Sequence, residues 1–520
     1  MSKQDQKELR QQIACEWLEE NYLQFGSLRH DVVTDRLQIR MADSLSAPHN
    51  TTSVIGDPAE DGSAYSLRAP HNATSVIGDP AEFRGKEIWR NLTDKDINTM
   101  VCQCVAEKGV NISTNEMWTA LKSDMVPAVH PLRAWLDGLR PYTADQPDWI
   151  DWVAQQVTVR DSAQDNGRLK EAIGRSQSEL LDGTACLLDN APHSEASHSP
   201  QSGRPIGGTP SYSPNGASSG SSADRLWRAC FKKWFVAMVA SWMKDEVVNH
   251  TVLVLVGRQG IFKTTWLDKL IPPELRAYSS KLPLSGQISK DDRLRLCETG
   301  MLNIDELDAM CGREMNIVKS LLTSTDVNER AAYGRLKERR MRLASFCAST
   351  NNREFLTDIT GNRRWLPFEV ESIQNPFHTI IPYERLYAQA KALVEEGIFS
   401  YWFDLDEIEV LEAHNEEFRA LENEEQLLPI LFDIPAEGKG EFMTTAEISD
   451  KLVTYGGIKK PMSIRKLNAI LERHEFRAAR PYVDGKQVRG WLVYRRKQDE
   501  IEIKQKELAN KSQRHEDILY

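Results

Sequence analysis

Residues 251–266 constrain the fold more than any other stretch. Val252, Leu253, Val254, Leu255 and Val256 form a short apolar run rich in β-branched residues, the pattern of a parallel strand buried on both faces. The run leads directly into Gly257-Arg258-Gln259-Gly260-Ile261-Phe262-Lys263-Thr264-Thr265, and a helical pattern opens near Trp266. A buried strand followed at once by a helix needs a sharp turn. Gly257 and Gly260 permit that turn and let backbone N–H groups point into it, where the helix N-terminus completes an anion cradle. The expected nucleotide-binding residues are Gly257, Gln259, Gly260, Lys263, Thr264 and Thr265. Lys263 reaches the β- and γ-phosphates of ATP, and the Thr264 hydroxyl ligates Mg²⁺. The spacing follows G-x-x-x-x-G-K-[ST] except at Phe262, where the pattern has glycine.

A phosphate cradle of this kind needs an acidic strand end further along the chain. Met301-Leu302-Asn303-Ile304 is a short apolar strand ending in Asp305-Glu306. Asp305 is expected to hold Mg²⁺ through water and Glu306 to polarise the attacking water. A third strand, Leu343 to Ser349, ends at Thr350-Asn351-Asn352, and Asn351 is placed to sense the γ-phosphate or help position the water. The turn Thr360 to Trp365 presents Arg363 and Arg364, permanent cations that suit an arginine finger offered to a neighbouring subunit. The competing reading pairs them with nearby acids such as Glu369 or Glu371.

The remainder of the chain divides by composition. Residues 1–41 read as a helix, from 5 to about 24, and a hairpin turning at Thr34-Asp35. Residues 42–83 contain one segment twice: Ala47 to Glu60 recurs as Ala69 to Glu82, with Ala73 in place of Thr51. Rich in Pro, Gly, Asn and Ser, it reads as a duplicated disordered insertion. Residues 84–160 read as a helical domain, with helix starts at Thr93-Asp94, Ser113-Thr114 and His130-Pro131 and a fourth helix carrying Trp149 and Trp152. A polar, then Ser/Gly/Pro-rich linker spans 161–223 and is expected to be disordered. The ATPase core covers 224–372 and opens on a tryptophan-rich helix, followed by a helical extension over 373–434. Residues 435–497 read as two helices and a β-ribbon, the winged helix-turn-helix plan, and 498–520 as a polar tail. The fold class is therefore α/β, with a P-loop NTPase core, an N-terminal helical region and a C-terminal winged helix.

With a formal net charge of −11 the chain has no global nucleic-acid signature, so any DNA-binding face must be a local basic patch. One lies between the second and third strands, where Arg330, Arg335, Lys337, Arg339, Arg340 and Arg342 surround the turn Tyr333-Gly334. A solvated charged turn is the plainer reading. A second lies on the C-terminal module, where Arg465 and Lys466 open the helix that can enter a major groove, unless the module docks protein instead. The eight cysteines are scattered and read as reduced thiols. The first residues are polar, with no signal-peptide pattern, and Trp234 to Met243 is too short to span a bilayer. The expectation is a soluble cytoplasmic protein with no membrane partner.

The order of motifs resembles the virulence-associated protein E family, a branch of the superfamily 3 helicases. These are AAA+ ring motors found with primases on phages, plasmids and integrated islands. The resemblance is carried by Gly257 to Thr265, Leu302 to Leu307, Asp326 to Arg335, Ser349 to Asn352 and Asp358 to Trp365. It extends more loosely to His130 through Leu136. It implies an AAA+ core with Lys263 and Thr264 in Walker A, Asp305 and Glu306 in Walker B, Asn351 as the sensor, and Arg363 or Arg364 as the arginine finger. It also implies a homo-hexamer whose hairpin grips single-stranded DNA in a central channel. There Tyr333 would stack on a base, while Arg335, Lys337, Arg339 and Arg340 hold the backbone. The implied function is an ATP- and Mg²⁺-dependent DNA helicase serving replication of a mobile element. No primase acidic cluster stands upstream, so a primase is expected on a separate chain. Two other readings stand beside this one: a nucleotide-switched DNA-binding protein without processive unwinding, motivated by Phe262, and a non-catalytic regulator acting through the winged helix.

Overall fold

The computed structural model describes residues 3–41, 89–161, 221–282, 289–305, 307, 312–329, 338–356, 362–421, 423–436, 440–483 and 486–516. The duplicated segment within 42–83, the linker residues 162–220, and Glu306, Tyr333, Arg335 and Lys337 lie outside the described residues. The chain forms two compact units, one of residues 1–353 with 360–416 and one of residues 354–359 with 417–520.

The first unit begins with helix α1 (Lys3–Leu18), which ends in one wide turn at Glu19–Leu23, followed by the hairpin β1 (Leu28–Asp31) and β2 (Arg36–Arg40). Strand β3 (Trp89–Asn91) adds to β2, and β4 (Ala128–Val129) runs parallel to β1. Helices α2 (Asp94–Lys108) and α3 (Thr114–Leu121) cover this sheet. Both start in a capping box, Thr93 with Asp96 and Ser113 with Glu116, each satisfying two backbone donors at once. Trp17, Leu28, Ile97, Met100, Met117 and Leu121 form the core here.

The stretch 84–160 is therefore not one helical domain. Its first part joins the N-terminal sheet. From Pro131 onward, α4 (Pro131–Asp137), α5 (Trp149–Ala154) and β5 (Val157–Val159) belong to a different core, because Leu132, Leu136, Ile150 and Val153 pack with Trp227 and Phe231 of the next helix. That helix, α6 (Ser222–Met243), fully buries Trp227, Phe231, Trp234, Phe235 and Trp242. Each such side chain contributes roughly 2–3 kcal/mol by leaving water. The indole N–H groups are not left unpaired: Trp227 donates to Ala154 O at 3.0 Å, Trp234 to Phe346 O at 2.9 Å and Trp242 to Gly300 O at 3.2 Å.

Helix α6 packs on the central sheet. Its strands are β6 (Val252–Val256), β7 (Ser279–Lys281), β8 (Met301–Ile304), β11 (Ser345–Thr350) and β12 (Trp365–Ile373), in the order β5-β12-β6-β11-β8-β7. All are parallel except β5, which lies antiparallel to β12 at the edge. Every residue of β6 is buried, as expected for a strand covered on both faces. The crossovers include α7 (Lys263–Asp268), α8 (Lys290–Glu298) and α9 (Gly312–Thr323), then the hairpin β9 (Asp326–Glu329) and β10 (Glu338–Met341). Helices α10 (Tyr383–Glu396) and α11 (Leu405–Asn415) follow the sheet.

The second unit contains α12 (Asn423–Leu431), β13 (Phe432–Asp433), β14 (Glu441–Met443), α13 (Thr445–Gly456), α14 (Ile464–Arg473), β15 (Arg477–Ala479), the small hairpin β16 (Tyr482–Val483) and β17 (Lys486–Gln487), β18 (Gly490–Arg495) and α15 (Gln498–Glu516). Strand β18 pairs with β13, β14 and β15, and Leu428, Ile448, Leu467, Ile470 and Trp491 fill the core. Cys15, Cys102, Cys104, Cys230, Cys297 and Cys347 are free thiols. Among the described residues no helix is long and apolar enough to cross a membrane.

Candidate nucleotide site

In an open parallel sheet the ligand site lies beyond the carboxyl ends of the strands. Here β6 ends in Gly257, β8 in Asp305 and β11 in Thr350-Asn351, all at that same edge. Gly257 sits at φ 155° with Val370 O so near that an added Cβ would lie 2.8 Å from it, so only glycine fits. Gly260 also has positive φ, at 87°. Phe262 occupies the left-handed region as well, at φ 69° and ψ 16°. The glycine that the motif expects is thus replaced by a bulky residue forced into a glycine conformation, which costs about 1–2 kcal/mol. Its ring packs edge-on against Phe377, with centroids 6.1 Å apart.

Lys263 opens α7 and is buried. Its Nζ donates to Gly257 O at 2.6 Å, Arg258 O at 2.7 Å and Asn351 Oδ1 at 3.0 Å. The ammonium is held by the loop carbonyls, and Asn351 touches it. One residue on, the Thr264 hydroxyl donates to Asp305 Oδ1 at 3.0 Å and lies 3.0 Å from Ser349 Oγ. Ser349 Oγ also donates to Asp305 Oδ1 at 3.0 Å, and Lys281 Nζ meets Asp305 Oδ2 at 2.8 Å. Burial acts to raise the Asp305 pKa, but the hydrogen bonds from Lys281, Thr264 and Ser349 outweigh it and hold the carboxyl below its ordinary range. An ionised carboxylate beside a hydroxyl is the donor set that a hard cation with several waters requires, so Thr264 and Asp305 fit Mg²⁺.

Sequence reasoning missed Ser349 and Lys281. It also missed a cluster at the same edge, where Glu369 pairs with Arg160 at 2.8 Å and Arg353 at 3.3 Å. Gln259 and Gly260 are exposed on the loop, and Thr265 is half-buried on α7.

Arg363 and Arg364 are at the other end of the sheet. They immediately precede β12, whose Trp365 is level with Val252 at the start of β6. The five residues of β6 separate them from the cradle, about 16 Å at 3.3 Å per residue. The fully buried Asn415 holds their turn by donating to Asn362 O at 2.8 Å and Trp365 O at 3.0 Å. Glu369 is engaged elsewhere, and neither arginine has an ion pair among the described residues.

The basic hairpin is less free than its charge count suggests. Arg339 is exposed and pairs across the hairpin with Asp326. Arg340 donates to Val33 O at 2.8 Å and pairs with Glu298 at 3.4 Å. Arg342 is buried and donates to Leu321 O at 2.8 Å, Leu322 O at 2.7 Å, Ser324 O, Ala344 O and Asn249 O. It caps the last carbonyls of α9 from a buried position. On the second unit Arg465 is exposed and Lys466 half-buried on α14, whereas Arg473, Arg489 and Arg496 are ion-paired.

Residues 217–420 match the virulence-associated protein E-like domain, a span that contains the whole cradle, the acidic strand and the arginine turn. These residues resemble that domain. A P-loop in a domain of this kind implies an NTPase that works with Mg²⁺. Similar solved structures include the apo structure of the NrS-1 C-terminal region, at 10% identity and TM-score 0.35, covering 92% of this chain and 99% of that chain. The A form of that apo region matches at 10% identity and TM-score 0.34, with the same coverage. No curated protein matched the chain.

Proposed function

We propose that the protein is an ATP- and Mg²⁺-dependent DNA helicase that serves replication of a mobile genetic element, with an AAA+ core and a C-terminal winged helix. The observation that carries this reading is the convergence of Lys263, Thr264, Asp305 and Asn351 at one edge of the sheet. Lys263 turns from the loop carbonyls to the phosphates, Thr264 and Asp305 hold Mg²⁺, and Glu306 polarises the water. Strand β11 lies between the cradle strand and the acidic strand, which brings Asn351 within reach of Lys263, as an AAA+ core requires.

Arg363 and Arg364 are too far from their own cradle to touch its γ-phosphate. They serve a neighbouring copy's nucleotide, which is why a homo-hexameric ring is the proposed assembly. Single-stranded DNA passes through the ring along the hairpin, held by Arg339 with Tyr333, Arg335 and Lys337. Arg340 has a structural tie instead. In the second unit the order α12, β13, β14, α13, α14, β15, small hairpin, β18 supports a winged helix that offers Arg465 and Lys466 to duplex DNA.

The test is ATP turnover with and without single-stranded DNA, together with strand separation, in the wild type, Lys263→Ala and Glu306→Gln. DNA-stimulated turnover and unwinding, both lost in the two variants, are the expected result. The strained Phe262 favours a second reading, a nucleotide-switched DNA-binding protein. DNA-stimulated turnover without strand separation would put that reading first.

A further inference from the structure

A second recess lies at the amino end of the central sheet, opposite the cradle. It is a cavity of about 360 Å³, within the range of small-molecule sites. It opens where β6 and β12 begin. Its lining includes Arg363, Arg364, His250, Thr323, Tyr401 and Trp402. No carboxylate is found among its described lining residues. Two guanidinium groups without an ion pair among the described residues therefore face a cavity free of negative charge, an arrangement that favours an anion.

The aromatic lining narrows the choice. Trp402 is 61% exposed, and Tyr401 meets it edge to face at 5.2 Å. A large aromatic face left in water beside a cavity is a stacking surface. An arginine finger needs neither the cavity nor the indole, so that role leaves both unexplained.

We propose that this cavity binds a nucleotide unit, with its base on Trp402 and its phosphate on Arg364 and Arg363, at a site separate from the cradle. The unit is a free nucleotide or one residue of a single strand, which share the same chemistry of base and phosphate. Occupancy also withdraws the two arginines from a neighbouring copy, so excess ligand slows turnover. That second consequence, unlike the binding itself, rests on the proposed finger role.

The experiment uses the full chain carrying Lys263→Ala to silence the cradle, titrated calorimetrically with AMP and, separately, with a short oligothymidylate. Binding of either ligand is expected, weakened about tenfold or more by a further Trp402→Ala, as loss of base stacking predicts. Arg364→Ala is expected to weaken it as well. AMP binding assigns the site to free nucleotide, and oligothymidylate binding alone assigns it to a strand. No binding of either ligand, or binding indifferent to both substitutions, overturns the proposal. Trp402 is exposed, so its alanine variant retains the fold, and circular dichroism verifies this. The titration reads the site even if the protein unwinds no DNA, which keeps failure of this proposal distinct from failure of the helicase reading.

Discussion

Lys281 Nζ lies 2.8 Å from Asp305 Oδ2, which places a cation from the edge strand β7 directly on the carboxylate that fits Mg²⁺. The contact helps hold the Asp305 pKa low, so the carboxylate's stabilising effect is present above its unfolded pKa of about 4 and is lost as pH falls through the lower folded value. Lys281→Met removes a hydrogen bond to the ionised form and raises that pKa. The acid limb of the pH–rate profile should therefore move to higher pH. At neutral pH the opposite benefit appears: with one positive charge gone, half-saturating Mg²⁺ should fall several-fold. A Mg²⁺ titration of turnover at two pH values checks both signs, and an unchanged Mg²⁺ requirement would separate Lys281 from the metal.

Phe262 carries the second prediction. Its left-handed backbone penalises any residue with a Cβ, whereas its ring gains contact with Phe377. Phe262→Val loses the ring and keeps the penalty. Phe262→Gly loses the ring and the penalty together. The glycine variant should be more stable than the valine variant by about 1–2 kcal/mol. Urea unfolding of the two proteins side by side decides it, and equal midpoints would mean that the loop relaxes when the ring is removed.

The meeting of Lys263, Thr264 and Asp305 at one edge was legible because they stand at strand ends: a motif lysine, a hydroxyl beside it, an acid after a short apolar run. Ser349 and Lys281 were not, since their contact with Asp305 depends on β11 and β7 flanking β8, an order that spacing along the chain does not encode. Strand β5 has only three residues and no periodicity to detect, so the region up to residue 160 read as helical. Arg342 counted as one more cation of the basic run because charge counted along a sequence has no depth. Its acceptors are carbonyls from α9, β6's approach and β11's approach, brought together only by tertiary packing.

That burial gives a third prediction. Arg342→Met keeps a similar volume but removes the side-chain donor that five backbone carbonyls share. The expected cost is about 3 kcal/mol. Arg340→Met, at a half-buried site with one carbonyl contact and one ion pair, should cost clearly less. Thermal unfolding ranks the two, and limited proteolysis should find new cleavage near residues 326–342 only in the Arg342 variant. Equal melting temperatures would remove Arg342 as the pin of the hairpin.

The separation of Lys263 from Arg363 along β6 leads to the fourth prediction. Under the proposed function a single chain cannot bring both to one γ-phosphate, so a complete site would take Lys263 from one copy and Arg363 from the next. Lys263→Ala should be inactive because its own cradle is damaged, and Arg363→Ala because it offers its neighbour no guanidinium. Mixed before assembly, the two variants create some interfaces with an intact lysine on one side and an intact arginine on the other. Turnover should return in part, in proportion to mixing, and should not return when the variants are assembled separately and then combined under conditions that prevent exchange. Removing Arg363 should lower kcat far more than it raises KM, because the guanidinium meets charge that develops in the transition state. Failure of the mixture to recover, with assembly of mixed oligomers verified, would place the arginine pair outside the reaction.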